Sequence, residues 1–177
     1  QMLLWQADTA AVEPLQRVVT DAVRPTTRLQ ALCTLDGLNA VSEPLVANAL
    51  QDKHPGVRRH AIRIAERFIN TSSELADSIR ARFTDPDLTL RELFSRITFN
   101  VLVGNTDDHA RNHSAFWSGA ALSLTPAYDI CPQARPTREA NQALVLGDGD
   151  RRSLLATCVA ISNKFLLRAE DARDLID

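Results

Sequence analysis

Apolar positions recur at helical spacing through the first seventy residues, and four amphipathic segments follow from them. Ala10–Val23 turns Val12, Leu15, Val18, Val19 and Val23 to one side, with Thr9 as its cap. Residues 26–38 bury Leu29, Leu32, Cys33 and Leu35. Residues 42–51 bury Leu45, Val46, Ala49 and Leu50, with Ser42 as cap and Pro44 in the first turn, where a missing N–H is harmless. Asp52-Lys53-His54-Pro55-Gly56 then interrupts the pattern before residues 57–69, whose inward set is Val57, Ala61, Ile64, Ala65 and Phe68.

A polar break at residues 70–74 ends this half. Thr71-x-x-Glu74 has the form of a capping box opening a helix to about Phe83. We place a domain boundary there, giving residues 1–70 and 71–177. Thr84-Asp85-Pro86-Asp87 closes that helix, and Thr89-x-x-Glu92 opens a longer one that becomes apolar nearly all round by Val103, as a buried core helix should. Gly104 stops it. Beyond a polar loop, residues 114–117 and 121–124 flank Ser118-Gly119 as a β-hairpin. Residues 142–146 read as a short strand, residues 151–165 as a helix, and residues 169–176 as a short charged one. The fold class is therefore mainly α with a small β-hairpin (α+β).

The loop Gly104-Asn105-Thr106-Asp107-Asp108-His109-Ala110-Arg111-Asn112 is strongly polar between apolar flanks. Asp107 and Asn112 have the spacing of a kinase catalytic loop, in which the Asp handles the substrate hydroxyl and the Asn holds magnesium. The plainer reading makes Asp107 or Asp108 the cap of a following helix. Asp129, set between Tyr128 and Ile130 just past the hairpin, stands where a kinase places its second magnesium-binding acid. Hard oxygen donors of this kind suit magnesium, which keeps waters and phosphate oxygens among its ligands.

Two resemblances follow. Arg28-x-x-Ala31 recurs thirty positions on as Arg58-x-x-Ala61, and Asp52-x-x-Pro55-x-Val57-Arg58 resembles the turn and inner-helix start of a HEAT repeat. That implies N-terminal HEAT-like helical hairpins, and a plain helical bundle is the alternative. Residues 99–112, followed by Leu124-Thr125-Pro126-Ala127-Tyr128-Asp129-Ile130, resemble the C-terminal lobe of the HipA family over about residues 75–177. Those proteins are serine/threonine kinases known as toxins of bacterial toxin–antitoxin pairs. The resemblance implies a kinase C-lobe-like helical domain with Asp107 as catalytic acid/base. It makes Asn112 and Asp129 the magnesium ligands and gives His109 and Arg111 the shaping of the site toward phosphate. The implied cofactors are Mg2+ and ATP, and the implied partner is a protein, either an antitoxin or a substrate.

Composition adjusts this picture. A kinase needs a Gly-rich loop and a strand lysine on the phosphates. Nothing before residue 75 resembles either, and the only lysines are Lys53 and Lys164. A truncated HipA-like lobe without its ATP-binding half is therefore expected, inactive alone. The alternative is a HEAT-type interaction module with an inactive C-terminal scaffold. His109-x-x-x-His113 has the spacing of a helical zinc pair, but the Glu of a metalloprotease motif is Ala110 here.

The net charge of −2 points to neither nucleic acid nor an anionic membrane surface as main partner. Arg135, Arg138, Arg151 and Arg152 read as a solvated basic face, and His54 and His60 as surface residues. Cys33, Cys131 and Cys158 lack CxxC spacing and are expected to be reduced, largely buried thiols. With no membrane span or signal layout in the sequence, a cytoplasmic location is the expectation.

Overall fold

The computed structural model describes residues 9–134, 139–147 and 149–176. It is mainly helical with one small antiparallel two-stranded sheet. Among the described residues, no helix is long and apolar enough to cross a membrane. The chain packs as two units. One runs up to Arg82 and takes in Trp117–Ala121; the other takes Phe83–Phe116 and the chain from Leu122 onward.

The first unit stacks α1 (Val12–Asp21), α2 (Pro25–Gly37), α3 (Glu43–Leu50), α4 (Pro55–Ala65) and α5 (Ser73–Arg80). The predicted inward positions form its core except Val23, which lies past the end of α1 and is exposed. Leu32, Leu35, Val46, Val57, Ala61 and Ala65 are wholly buried, joined by Ile64 and Leu75. The thirty-residue repetition recurs in the side chains. Arg28 folds back to the carbonyls of Ala22 and Val23 at 2.7 and 3.0 Å. Arg58 folds back to those of Asp52 and Lys53 at 2.7 and 2.9 Å, the same offsets along the chain. Arg28 also grips the Asp52 carboxylate through two bonds of 2.6 and 2.7 Å. Arg58 further donates to the Gly119 carbonyl and lies 5.7 Å from the centre of the Trp117 ring.

Several local expectations are corrected. Ser72, not Thr71, caps α5: its extended backbone lets Oγ accept from the Leu75 N–H at 3.2 Å, while the Thr71 hydroxyl turns back to the Phe68 carbonyl. His54 caps α4 through its ring, Nδ1 accepting from the Gly56 N–H. His60 is half-buried, 3.7 Å from Cys33 Sγ. All three thiols are free, but Cys131 is exposed, and burial pushes the Cys33 and Cys158 thiols up.

The second unit is built on α6 (Pro86–Leu102). Asp85 begins this helix: its carboxylate accepts from the Leu88 N–H at 2.9 Å, and Pro86 occupies the first helical position. Asp-Pro therefore opens a helix here, ahead of the Thr89 start expected. Only one face of α6 is buried. Phe94, Ile97 and Val101 point inward with Cys158, Ile161 and Ala172, and Phe94 meets Phe165 edge-on at 5.5 Å. Phe99 and Leu102 are about half exposed, so the helix is not apolar-buried all round.

The hairpin forms as expected from β1 (Ala115–Trp117) and β2 (Leu122–Leu124). The tail differs. Ser153 N–H donates to the Ala140 carbonyl and Asn141 bridges Arg152, which keeps residues 151–153 extended. The helix α7 therefore covers only Leu155–Ala160. A 3₁₀ turn at Ser162–Phe165 ends on Leu166 at φ +58°, and α8 is Ala169–Asp174.

Candidate functional site

The site begins at the end of α6. Gly104 takes φ +73°, its N–H reaches the Val101 carbonyl at 3.3 Å, and the Asn105 N–H reaches that of Asn100 at 2.9 Å. This pair of bonds is a Schellman termination, which only a residue at ease with positive φ makes cheaply. It aims the buried Asn105 side chain back across the helix end. Asn105 Nδ2 donates to Asn100 Oδ1 at 3.0 Å and to the Asp129 carbonyl at 3.2 Å.

A second tie runs through the hairpin. Ser118 N–H donates to the Ala121 carbonyl at its turn, and Thr125 N–H to that of Ser114 below the strands. The Tyr128 hydroxyl meets Ser114 Oγ at 2.8 Å and donates to the Arg111 carbonyl. The two backbone pairings share one antiparallel register, so each step along one arm is matched on the other. Arg96 holds the returning arm by donating to the Thr125 carbonyl at 2.7 Å. The loop bearing Asn112 and the turn bearing Asp129 are thus joined at two points.

Asp107 is exposed on the loop. Asn112 is buried, with 6% of its surface accessible, in a single 3₁₀ turn, Ala110–Asn112. Its carboxamide makes no hydrogen bond among the described residues, whereas Asp108 and His113 approach each other. Arg111 is exposed and His109 half-buried, with Nδ1 unpartnered among the described residues. Asp129 is exposed and adopts φ +58°. A left-handed non-glycine costs of order 1–3 kcal/mol, and such residues cluster where a side chain has a task.

Neither Asp107 nor Asp108 caps the turn at Ala110–Asn112. His109 stands at the cap position without a side-chain bond. The helical zinc pair is overturned too: His109 is extended, so residues 109–113 do not form the helical face that the spacing required, and His113 faces Asp108. Among the described residues, no three His, Cys, Asp or Glu side chains are grouped to hold a metal.

The backbone pairs the loop with residues 143–144: Ala143 N–H donates to the Thr106 carbonyl at 2.9 Å, and Leu144 N–H to that of Asp108 at 2.7 Å. The segment expected as a strand serves as this brace. Of the basic residues, Arg152 is engaged by Asp150, whose carboxyl its guanidinium holds down at about 2, and Arg151 donates to the Ala143 carbonyl. Arg135 and Arg138 lie outside the described residues.

Residues 56–177 match the family model of the HipA-like C-terminal domain. The chain belongs to this HipA-like family. The match enters the chain at α4, ahead of the resemblance visible from about residue 75, and so takes in part of the first unit as well as the whole second one. No curated protein and no solved structure matches the chain. Within the HipA-like domain, sequence reasoning missed Asn105 and Tyr128. Their hydrogen-bond partners lie 24 and 17 positions away. The sole local hint was a polar residue directly after the helix-ending glycine.

Proposed function

We propose that the second unit is the catalytic half of a HipA-type serine/threonine kinase. The observation that carries this reading is the double tie between the loop of Asp107 and Asn112 and the turn of Asp129, through Asn105 and Tyr128. Asp107 is the acid/base toward a protein hydroxyl. Asn112 and Asp129 are the residues that would hold magnesium. They fit that ion: one is a buried amide with no competing bond among the described residues, the other an exposed carboxylate, and both present hard oxygen. Held there, magnesium would supply neutralisation of the charge on the phosphoryl oxygens.

The chain's own residues do the rest. Asp107, exposed beyond the capped helix, takes the proton of the protein hydroxyl as its oxygen attacks the γ-phosphorus of ATP and the bond to the leaving ADP breaks. Arg111, also exposed, faces the transferred phosphate, and His109 shapes the loop between them. No Gly-rich phosphate loop occurs in the sequence, so this reading assigns the chain the acid/base and metal half of ATP-dependent transfer. The matched arginine clamps of Arg28 and Arg58 favour the first unit as a helical-repeat surface for a protein partner, an antitoxin or the substrate itself.

Calorimetric titration of the full chain with magnesium and then ATP, with Asp129→Ala alongside, tests the site. A binding heat present in the wild type and lost in the variant is the expected result. Identical blank traces from both overturn the reading.

A further inference from the structure

Asn112 is the least anchored member of the proposed site. Asp129 has its carbonyl bonded and its neighbour Tyr128 tied, but the Asn112 carboxamide has no hydrogen bond among the described residues to fix its direction. Its placement must come from the turn that carries it. That turn is closed internally by Asn112 N–H to the His109 carbonyl at 2.8 Å and His113 N–H to that of Ala110 at 3.2 Å. A single 3₁₀ turn held by two bonds is weak on its own.

Its two ends are gripped from outside. Asp108, just before the turn, has 2% of its side chain accessible, and its carbonyl is held by the Leu144 N–H. His113, just after it, has 10% accessible, and its Nε2 stands 2.9 Å from Asp108 Oδ1. The approach is off the line of a good hydrogen bond, so the pair acts as a close polar contact between otherwise unpartnered buried atoms. Separating these groups would leave a buried carboxylate alone, which is costly. The contact therefore holds residues 108 and 113 together and shuts the turn between them.

We infer that Asp108 and His113 are positioning residues, a clasp across the Ala110–Asn112 turn that sets the direction of the Asn112 carboxamide toward the metal. This rests on the magnesium reading above. Neither residue touches the metal in this account; both act through Asn112, as groups behind metal ligands commonly do.

Manganese, which takes the same oxygen donors, provides a spectroscopic probe. Free Mn2+ is titrated by electron paramagnetic resonance against the full chain, against His113→Leu and His113→Gln, and against Cys158→Ala as a core-weakening control. His113→Leu is expected to bind about tenfold more weakly. His113→Gln, whose amide keeps a polar group beside Asp108, is expected to restore wild-type affinity. Cys158→Ala is expected to melt earlier with affinity unchanged. Wild-type affinity in His113→Leu overturns the clasp alone, as does an equal loss in Cys158→Ala. A wild-type chain that binds no manganese overturns the metal site and the clasp with it. If His113→Leu does not fold, Asp108→Asn decides by the same titration, with a tenfold loss expected and unchanged affinity overturning the clasp.

Discussion

The two units bury different things. Among the described residues, the first hides a single polar side chain, Ser72, which caps a helix and donates to Glu43. The second hides Thr98, Asn100, Asn105, Asp108 and Asn112 in quick succession, with Gln142 and Ser153 nearby in the fold. Apolar burial stabilises without regard to direction. Buried polar groups are costly unless they find partners, and where they do, as Asn105 does with Asn100 and Gln142 with Ser153, they fix geometry. One unit is consequently built for packing and the other for placement, and the placement is concentrated where α6 delivers its loop.

Core truncation sets the largest expected effect. Leu32→Ala, at a fully buried position of the first unit, should cost about 2–5 kcal/mol in chemical denaturation and leave manganese affinity untouched. Asn105→Ala should cost less, about 1–3 kcal/mol, because it strands the Asn100 carboxamide oxygen, yet it should also weaken manganese binding by releasing Asp129. Equal losses of affinity in the two variants would erase the contrast between packing and placement.

The smallest effect is a matter of pH. Arg28 beside Asp52 holds that carboxyl below its ordinary range, helped by the His54 N–H. A depressed folded-state value means the stabilisation is complete above the unfolded value of about 3.9 and is lost as pH falls through the lower folded one. Thermal melts between pH 5 and 2 should therefore steepen in their decline for the wild type. Asp52→Asn should be less stable above that range and flatter within it. Parallel curves would show that the clamp between the repeats is not electrostatic.

What could be read in advance followed the same division. The helices of the first unit were legible because period and burial are local properties, and most inward residues were named by their spacing, though not Ala31 or Leu75. Caps slipped by a residue or more, as at Ser72 and Asp85, because Ser, Thr and Asp compete for the same role and only backbone geometry chooses. In the second unit Gly104 and the hairpin were legible, as glycine and turn chemistry are local too. Asn105, Tyr128 and the clasp were not. Asn105 and Tyr128 act on residues far along the chain, and Asp108 with His113 carried only the patterns of a helix cap and of a zinc pair, neither of which points from one to the other. The broken tail escaped because residues 151–153 are kept extended by Ala140 and Asn141, partners far back along the chain that local periodicity does not reveal.

The conformation of Asp129 places two sieves of different mesh on one codon. Folding favours a residue that accepts a left-handed backbone, which Gly, Asn and Asp do more cheaply than β-branched or bulky side chains. The proposed metal role asks in addition for a negative charge beside the Asn112 amide, which Asp alone of the three supplies. A lineage kept for its shape would drift at this position toward Gly or Asn, while one kept for its reaction would hold Asp. The identity of this residue across related chains would thus record whether the proposed chemistry was kept, even where the architecture never changed.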